Sequence, residues 1–399
     1  MPTRPHRWPI LALLVLLAGC GATQASTMRR HTPAAPVAHQ AVTNPPTPSQ
    51  VALLRSRYPG WLTDFTKHVV PFSEFQDGGP PRDGIPPIDH PQAVSLKAGD
   101  RFLSGREPVI AVRVGDQVRA YPEQVLVWHE IVNDVLGGRP IAVTYCPLCN
   151  SAIAFDRVVG RTALTFGTTG KLRDSDLVMW DRQTQSWWQQ FTGTALAGAY
   201  TGTVLRPIDT QVLSWAQFET AYPYATVLSR PAGFDRPYGQ NPYVGYDTVT
   251  SSQPTFYRGH LDPRLPPLER VVAVFSGAQA VVVPFSTVAR KPVITGSVGG
   301  QPLVVLYTHG VVSALDATTI SRSRDVGTVG AFDSRLGRRT LRFTATPDGR
   351  FRDQTGSSWD VTGTALSGPL RGAHLHALRH DDQFWFALAA FLPHARLLP

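Results

Sequence analysis

A chain that repeats itself must find a packing arrangement that one sequence pattern can adopt twice, and this chain repeats itself. Gly193-Thr194-Ala195-Leu196-Ala197-Gly198 recurs as Gly363-Thr364-Ala365-Leu366-Ser367-Gly368. The same offset matches Gly202 with Gly372, Leu205 with Leu375, Trp215 with Trp385, Pro223 with Pro393 and Leu228 with Leu398. One residue further apart, Gln183-Thr184 and Trp188 match Gln354-Thr355 and Trp359. A shorter offset pairs Gly137-Gly138, Pro140, Val143 and Tyr145 with Gly299-Gly300, Pro302, Val305 and Tyr307. Registers this long define two diverged copies, 108–228 and 270–398. A lead segment, 51–107, precedes them, and a Pro/Gly/Tyr-rich linker, 229–269, joins them.

Each copy reads as mostly β. Val109-Ile110-Ala111-Val112 and Val118-Arg119-Ala120-Tyr121 flank Gly115-Asp116, a hairpin signal. Residues 141–145 form a short apolar run after the Gly137-Gly138 turn, and residues 151–155 and 162–166 alternate with period two around Gly160. Short helices are expected over 122–128, with Pro at the first turn, and over 215–222. Residues 293–298 end at their own Gly-Gly turn and read as strand, so residues 131–136 do as well, which puts His129 at a helix-to-strand junction. The expected fold is α+β and β-rich: two tandem diverged copies of an antiparallel β unit with short helices, related by a pseudo-twofold.

The first fifty residues have a different character. Arg4 and Arg7 make a short basic segment, and residues 9–18 an apolar run too short to span a bilayer. Leu17-Ala18-Gly19-Cys20 then has the form of a bacterial lipoprotein cleavage and lipidation site; a plain signal peptide ending in a chance cysteine is the alternative. We read a signal peptide over 1–19 and a tether over 20–50, led by a lipidated Cys20 and built of Ala, Thr, Pro and Gln. Acyl chains on Cys20 would hold the chain at the extracytoplasmic face of a bacterial membrane, an oxidising space. The formal charge is +9, but Arg is scattered, Lys is scarce and no basic block occurs. That argues against nucleic acid as a partner.

Beyond Cys20 only two cysteines remain, in Thr144-Tyr145-Cys146-Pro147-Leu148-Cys149-Asn150. A Cys-x-x-Cys spacing lets two sulfurs chelate one ion or close a tight disulfide. Structural zinc takes four N/S ligands, and a second cysteine pair is missing, so other donors are needed. His129 is the first candidate, one strand away across the Gly137-Gly138 turn. Met179, the only methionine beyond the tether, would add a thioether suited to soft Cu(I). A hydrogen-bonded core role accounts equally for His129, and apolar packing for Met179. Thiol–disulfide catalysis is a third chemistry, though Cys149 leads into an alternating strand and not a helix. The second copy replaces Cys146 and Cys149 by Thr308 and Val311 and His129 by Lys291, while Tyr145 and Ser151 persist as Tyr307 and Ser313. The sulfur chemistry belongs to one copy, which points to a site. Phe166-Gly167-Thr168-Thr169-Gly170-Lys171 lacks P-loop spacing and reads as a tight loop between strands. Asp174, Asp176 and Asp181 fit either a hard cation or a solvated face, and Asp83 and Asp89 flank a rigid Pro-rich loop with acidic residues free to line a cleft.

Taken together these segments resemble the family labelled domain of unknown function 3179. The resemblance runs from Trp61-Leu62-Thr63-Asp64-Phe65 and Asp83-Gly84-Ile85-Pro86 through Trp128-His129-Glu130-Ile131-Val132-Asn133-Asp134 and the Cys146–Cys149 segment. It continues through Phe166-Gly167-Thr168-Thr169-Gly170, Ser175-Asp176-Leu177-Val178-Met179 and Asp181-Arg182-Gln183-Thr184. Thr169 and Lys171 depart from the usual Ser-Gly-x form of that loop. The resemblance implies no activity, but it puts His129, both cysteines and Met179 inside signature motifs.

The function expected from sequence is therefore a membrane-anchored lipoprotein that binds copper, iron or zinc through Cys146, Cys149 and His129, with Met179 as a further ligand. Its role would be metal handling or electron transfer with a redox or metal-transfer partner protein. A binding or scaffold lipoprotein with a Cys146–Cys149 disulfide, and a thiol–disulfide oxidoreductase, are the alternatives.

Overall fold

Glycine-bearing two-residue turns set the first strand pairings. In the computed structural model, which describes residues 46–399, Pro108–Val114 pairs antiparallel with Gln117–Pro122 around Gly115-Asp116, and Gly115 takes φ 59°. Pro122, unable to donate a ladder hydrogen bond, ends the hairpin and starts the helix Glu123–His129. Ile131–Leu136, Arg139–Cys146 and Ser151–Asp156 follow as an antiparallel meander, the first turn made by Gly137 and Gly138 at φ 57° and 73°. Phe166–Arg173, Asp176–Asp181, Trp187–Gln189 and Ala195–Ala197 form the next sheet. Thr210–Ser214 then returns to Pro108–Val114, and a Ser214/Gln217 capping box opens the helix Trp215–Ala221.

After residue 269 a similar succession appears: Arg270–Ser276 with Gln279–Pro284, the helix Phe285–Arg290, then Val293–Val298, Gln301–Thr308 and Thr328–Asp333. His380–Phe384 joins Arg270–Ser276, and the helix Trp385–Phe391 follows it. The chain is β-rich, with antiparallel sheets and few short helices. No helix among the described residues is long and apolar enough to cross a membrane. The proposed signal and lipidation residues, including Arg4, Arg7 and Cys20, lie outside the described residues.

One apolar core draws on both stretches: Ile110, Tyr121, Val143 and Phe155 share it with Val271, Val282, Phe384 and Trp385. Residues 51–107 close a second cluster, where Tyr58, Trp61, Phe65 and Phe75 ring Trp187 at centroid distances of 5.0–5.7 Å. The 229–269 stretch is packed, with Tyr257 and Leu268 in the main core.

Three local expectations change. Phe166–Lys171 is not a loop but part of a strand with a bulge between Thr168 and Lys171. Gly170 makes this work: it takes φ 72°, and a Cβ there would lie 2.0 Å from the Pro80 carbonyl oxygen. Residues 162–166 do not form one strand, because Thr162–Ala163 pairs with Val158–Val159 and a new strand starts at Phe166. Asp83 and Asp89 are not free: Asp83 accepts from the Thr168 amide and Trp180 Nε1, and Asp89 from Asn133.

Asp247, in the 229–269 stretch, ties three segments together. Its carboxylate meets Arg270 at 2.7 Å and Arg324 at 3.0 Å and accepts from Ser313 Oγ at 2.8 Å, fully buried. Burial opposes its charge, but the two guanidiniums outweigh that and hold its pKa below the ordinary carboxylate value. Its contribution is therefore complete above about pH 4 and is lost as pH falls through the lower folded value. Asp247→Asn, which leaves Arg270 buried without its counter-ion, is expected to cost on the order of 3 kcal/mol at pH 7 in chemical denaturation. The difference from wild type should shrink below pH 4.

Candidate metal centre

The thiols are set by a tight connection. Arg139–Cys146 ends at Cys146, which pairs with Ser151 across a four-residue loop. The Cys149 amide donates to the Cys146 carbonyl at 3.2 Å, and the Asn150 amide to that of Pro147 at 3.2 Å. Asn150 closes the loop at φ 51°, a left-handed conformation that Asn tolerates better than most residues. Both cysteines are buried free thiols.

A second turn brings in a carboxyl. Asp174 and Ser175, at φ 52° and 64°, make a two-residue hairpin turn without glycine and deliver Asp176 as the first residue of its strand. The Ser175 carbonyl accepts from Cys149 Sγ at 3.5 Å and, more weakly, from Cys146 Sγ at 3.9 Å. Cys146 Sγ, Cys149 Sγ and a carboxylate oxygen of Asp176 lie within 4.8 Å of one another, all buried. Asp176 Oδ2 accepts from Gln189 Nε2 at 2.5 Å and the Phe191 amide at 2.9 Å. Asp176 Oδ1 has no hydrogen-bond partner among the described residues.

Glu130 supplies a further buried carboxyl, at the end of the helix Glu123–His129 with φ 58°. Its carbonyl accepts from the Tyr145 amide at 2.8 Å, while its carboxyl makes no hydrogen bond to any described residue. Burial and the Asp176 charge push Glu130 up to about 8. Burial, against hydrogen bonds from Gln189, the Phe191 amide and both thiols, pushes Asp176 up to about 7. Burial also raises both thiols, Cys149 the more strongly, and Asp176 adds to each.

The site is walled from elsewhere in the chain. Tyr246 Oη donates to the Leu148 carbonyl at 3.0 Å, Ser175 Oγ to that of Thr255 at 2.5 Å, and the Phe384 amide to that of Cys149 at 2.9 Å. Cys146 and Cys149 keep 1% and 0% of their surface, too little for a protein thiol to reach either sulfur.

His129 is not in the donor group. Its Nδ1 meets the Pro86 carbonyl at 2.7 Å and its Nε2 the Tyr238 hydroxyl at 2.7 Å, with Phe234 edge-on at 4.8 Å. The hairpin that was expected to carry it to the thiols does form, with Ile131 opposite Thr144. His129 faces the 86 and 238 segments, and Glu130, which follows it at φ 58°, is buried but does not join the Cys146, Cys149 and Asp176 group. Met179 is fully buried among apolar side chains, opposite Thr168 and Trp188. Strand alternation puts it on the opposite face from Asp176. Sequence reasoning left Asp176 between a cation ligand and a solvated residue and gave Glu130 no role. Asp176 is not solvated, and neither is Asp181, which accepts from Thr184 and Trp188.

A carboxyl whose folded pKa lies above its unfolded value keeps a proton that the unfolded chain releases, so stability falls as pH rises through that window. For Glu130 the window runs from 4.5 to about 8. In chelator-treated protein, Glu130→Gln is therefore expected to match wild type near pH 4. By pH 8 it should be the more stable, by on the order of 2–4 kcal/mol in denaturant titrations.

The chain matches no curated protein and no solved structure. A family described as "Protein of unknown function (DUF3179)" matches residues 82–395, which takes in Glu130, both thiols, Asp176 and the walls around them. The chain belongs to that family.

Proposed function

We propose that this protein is an extracytoplasmic lipoprotein, anchored through Cys20, that binds a soft or borderline metal ion between Cys146, Cys149 and Asp176. The observation that carries the reading is Asp176 Oδ1, buried and without a partner beside two buried thiols. Donors bound at about 2.0–2.3 Å sit at most roughly 4.6 Å apart across one ion. Small side-chain rotations would thus bring the three to a shared point. Binding would release the thiol protons and cancel the mutual repulsion of the cluster. Asp176 takes the place that sequence assigned to His129.

The body is two diverged copies, 108–228 and 270–398, with the sulfur ligands kept in the first. The second carries Thr308 and Val311 at those positions and acts as a wall. The role is metal handling or electron transfer at the membrane surface. A partner protein that exchanges the ion would have to displace the segment that carries Tyr246 and Thr255. Burial of both sulfurs weighs against dithiol exchange with proteins.

The test uses the full chain with Cys20→Ser, purified without oxygen, with metal content and free thiols measured together. About one ion per chain is expected, reduced at least tenfold in Cys146→Ser and in Cys149→Ser, with His129→Ala retaining it. Metal-free protein without titratable thiols would overturn the reading in favour of a disulfide scaffold.

A further inference from the structure

Resting on the metal reading, and on its metal-handling branch because zinc carries no redox chemistry, we infer that the site selects a divalent ion of the zinc class over Cu(I), held by three protein donors with a fourth position open to a small exogenous ligand.

Charge is the first argument. A loaded site contains two thiolates and one carboxylate, with the Glu130 carboxyl beside them. Cys146, Cys149 and Asp176 hydrogen-bond the Ser175 carbonyl, Gln189 and the Phe191 amide, with no basic side chain among these partners. Arg270, the buried cation of this region, is bound to Asp247 and Ser313 instead. A monovalent ion leaves two uncompensated charges in a buried site; a divalent ion leaves one. Each residual buried charge is costly.

The donor set gives the second argument. Cu(I) favours thiolates and thioethers, whereas a carboxylate oxygen suits borderline and harder divalent ions. Met179, which would supply the thioether, is packed in the apolar core, paired across its strand with Thr168 and Trp188. Asp176 is held as metal-ligating carboxylates are: one oxygen is fixed by Gln189 and the Phe191 amide, and the other is left unpartnered.

The third argument concerns the fourth position. Among the described His, Cys, Asp and Glu residues no fourth donor joins the group. Three protein ligands with a place for water is the pattern of open, catalytic-type zinc sites, not closed structural ones. Ser151 pairs with Cys146 in register, so both side chains lie on one face, and Ser151 Oγ is buried without a partner. Gln190 Oε1 is likewise buried and unpartnered, and its Nε2 donates to the Ser151 carbonyl at 3.2 Å. Two unengaged neutral oxygens beside a three-donor set suit a bound water, which each could accept from.

The experiment titrates reduced, chelator-treated full-length Cys20→Ser protein with Zn2+, Co2+ and Cu+, each against a chromophoric competitor. One Co2+ per chain is expected, with thiolate charge-transfer absorption and visible bands of tetrahedral intensity. Zn2+ should displace it, and azide should shift the visible bands. Asp176→Ala should weaken Zn2+ roughly 100-fold while changing Cu+ less than threefold. Asp176→Asn, which keeps the side-chain shape, should weaken Zn2+ by about tenfold and serves if the alanine variant fails to fold. Tight Cu+ with weak Zn2+, unaffected by either variant, would overturn this inference and leave metal binding standing. Azide-insensitive Co2+ spectra would overturn the open position. Failure of all three ions with both thiols reduced would bring down the metal reading itself.

Discussion

Burial of acidic groups with no basic side chain hydrogen-bonded to them is the constraint around which the thiol site is arranged. Cys146, Cys149, Asp176 and Glu130 come from three separate turns, and burial holds each toward its protonated form. Left to local preference, such groups would lie apart or in water. The backbone is bent to keep them together: of seven non-glycine residues with positive φ among those described, Glu130, Asn150, Asp174 and Ser175 flank this cluster. Each left-handed residue carries a cost of order 1 kcal/mol or more. Positive-φ residues and buried acidic groups concentrated at one place mark a functional-site candidate.

How much of this was legible depended on whether local chemistry or chain reversal decided the outcome. Gly115-Asp116, Gly137-Gly138 and Pro122 act through their own backbone preferences, so hairpins and helix starts could be read within a residue or two. Gly170 could not, because its role is to admit the Pro80 carbonyl from a segment ninety residues earlier, which turned an expected loop into a bulged strand. The site failed at the same level. His129 is the nearest histidine in sequence, and the hairpin that should carry it does form. Its side chain, however, is taken by the Pro86 carbonyl and the Tyr238 hydroxyl, which no propensity argument anticipates. Asp176 was visible only as one aspartate among three near each other in sequence. What separates it from Asp181 is the fate of its oxygens: both of Asp181's accept hydrogen bonds, and one of Asp176's does not.

A second buried polar cluster in the same core sharpens the contrast. Asp247 sits as deep as Asp176, yet two arginines and a serine surround it, and its carboxylate is favoured over the acid. That network joins the 229–269 stretch to strands and loops beyond it, and with Asp316 on Arg324 at 3.2 Å two carboxylates meet two guanidiniums. It needs no ligand, and its residues come from the part of the chain that lacks the thiols. The cysteine cluster has the opposite balance within the same apolar core. The difference in partners is plain: two guanidiniums face Asp247, and no basic side chain hydrogen-bonds Asp176 or either thiol. The same core thus pairs one buried carboxylate with two guanidiniums and gives Cys146, Cys149 and Asp176 no basic hydrogen-bond partner, and that contrast is what supports the proposed cation at the second place.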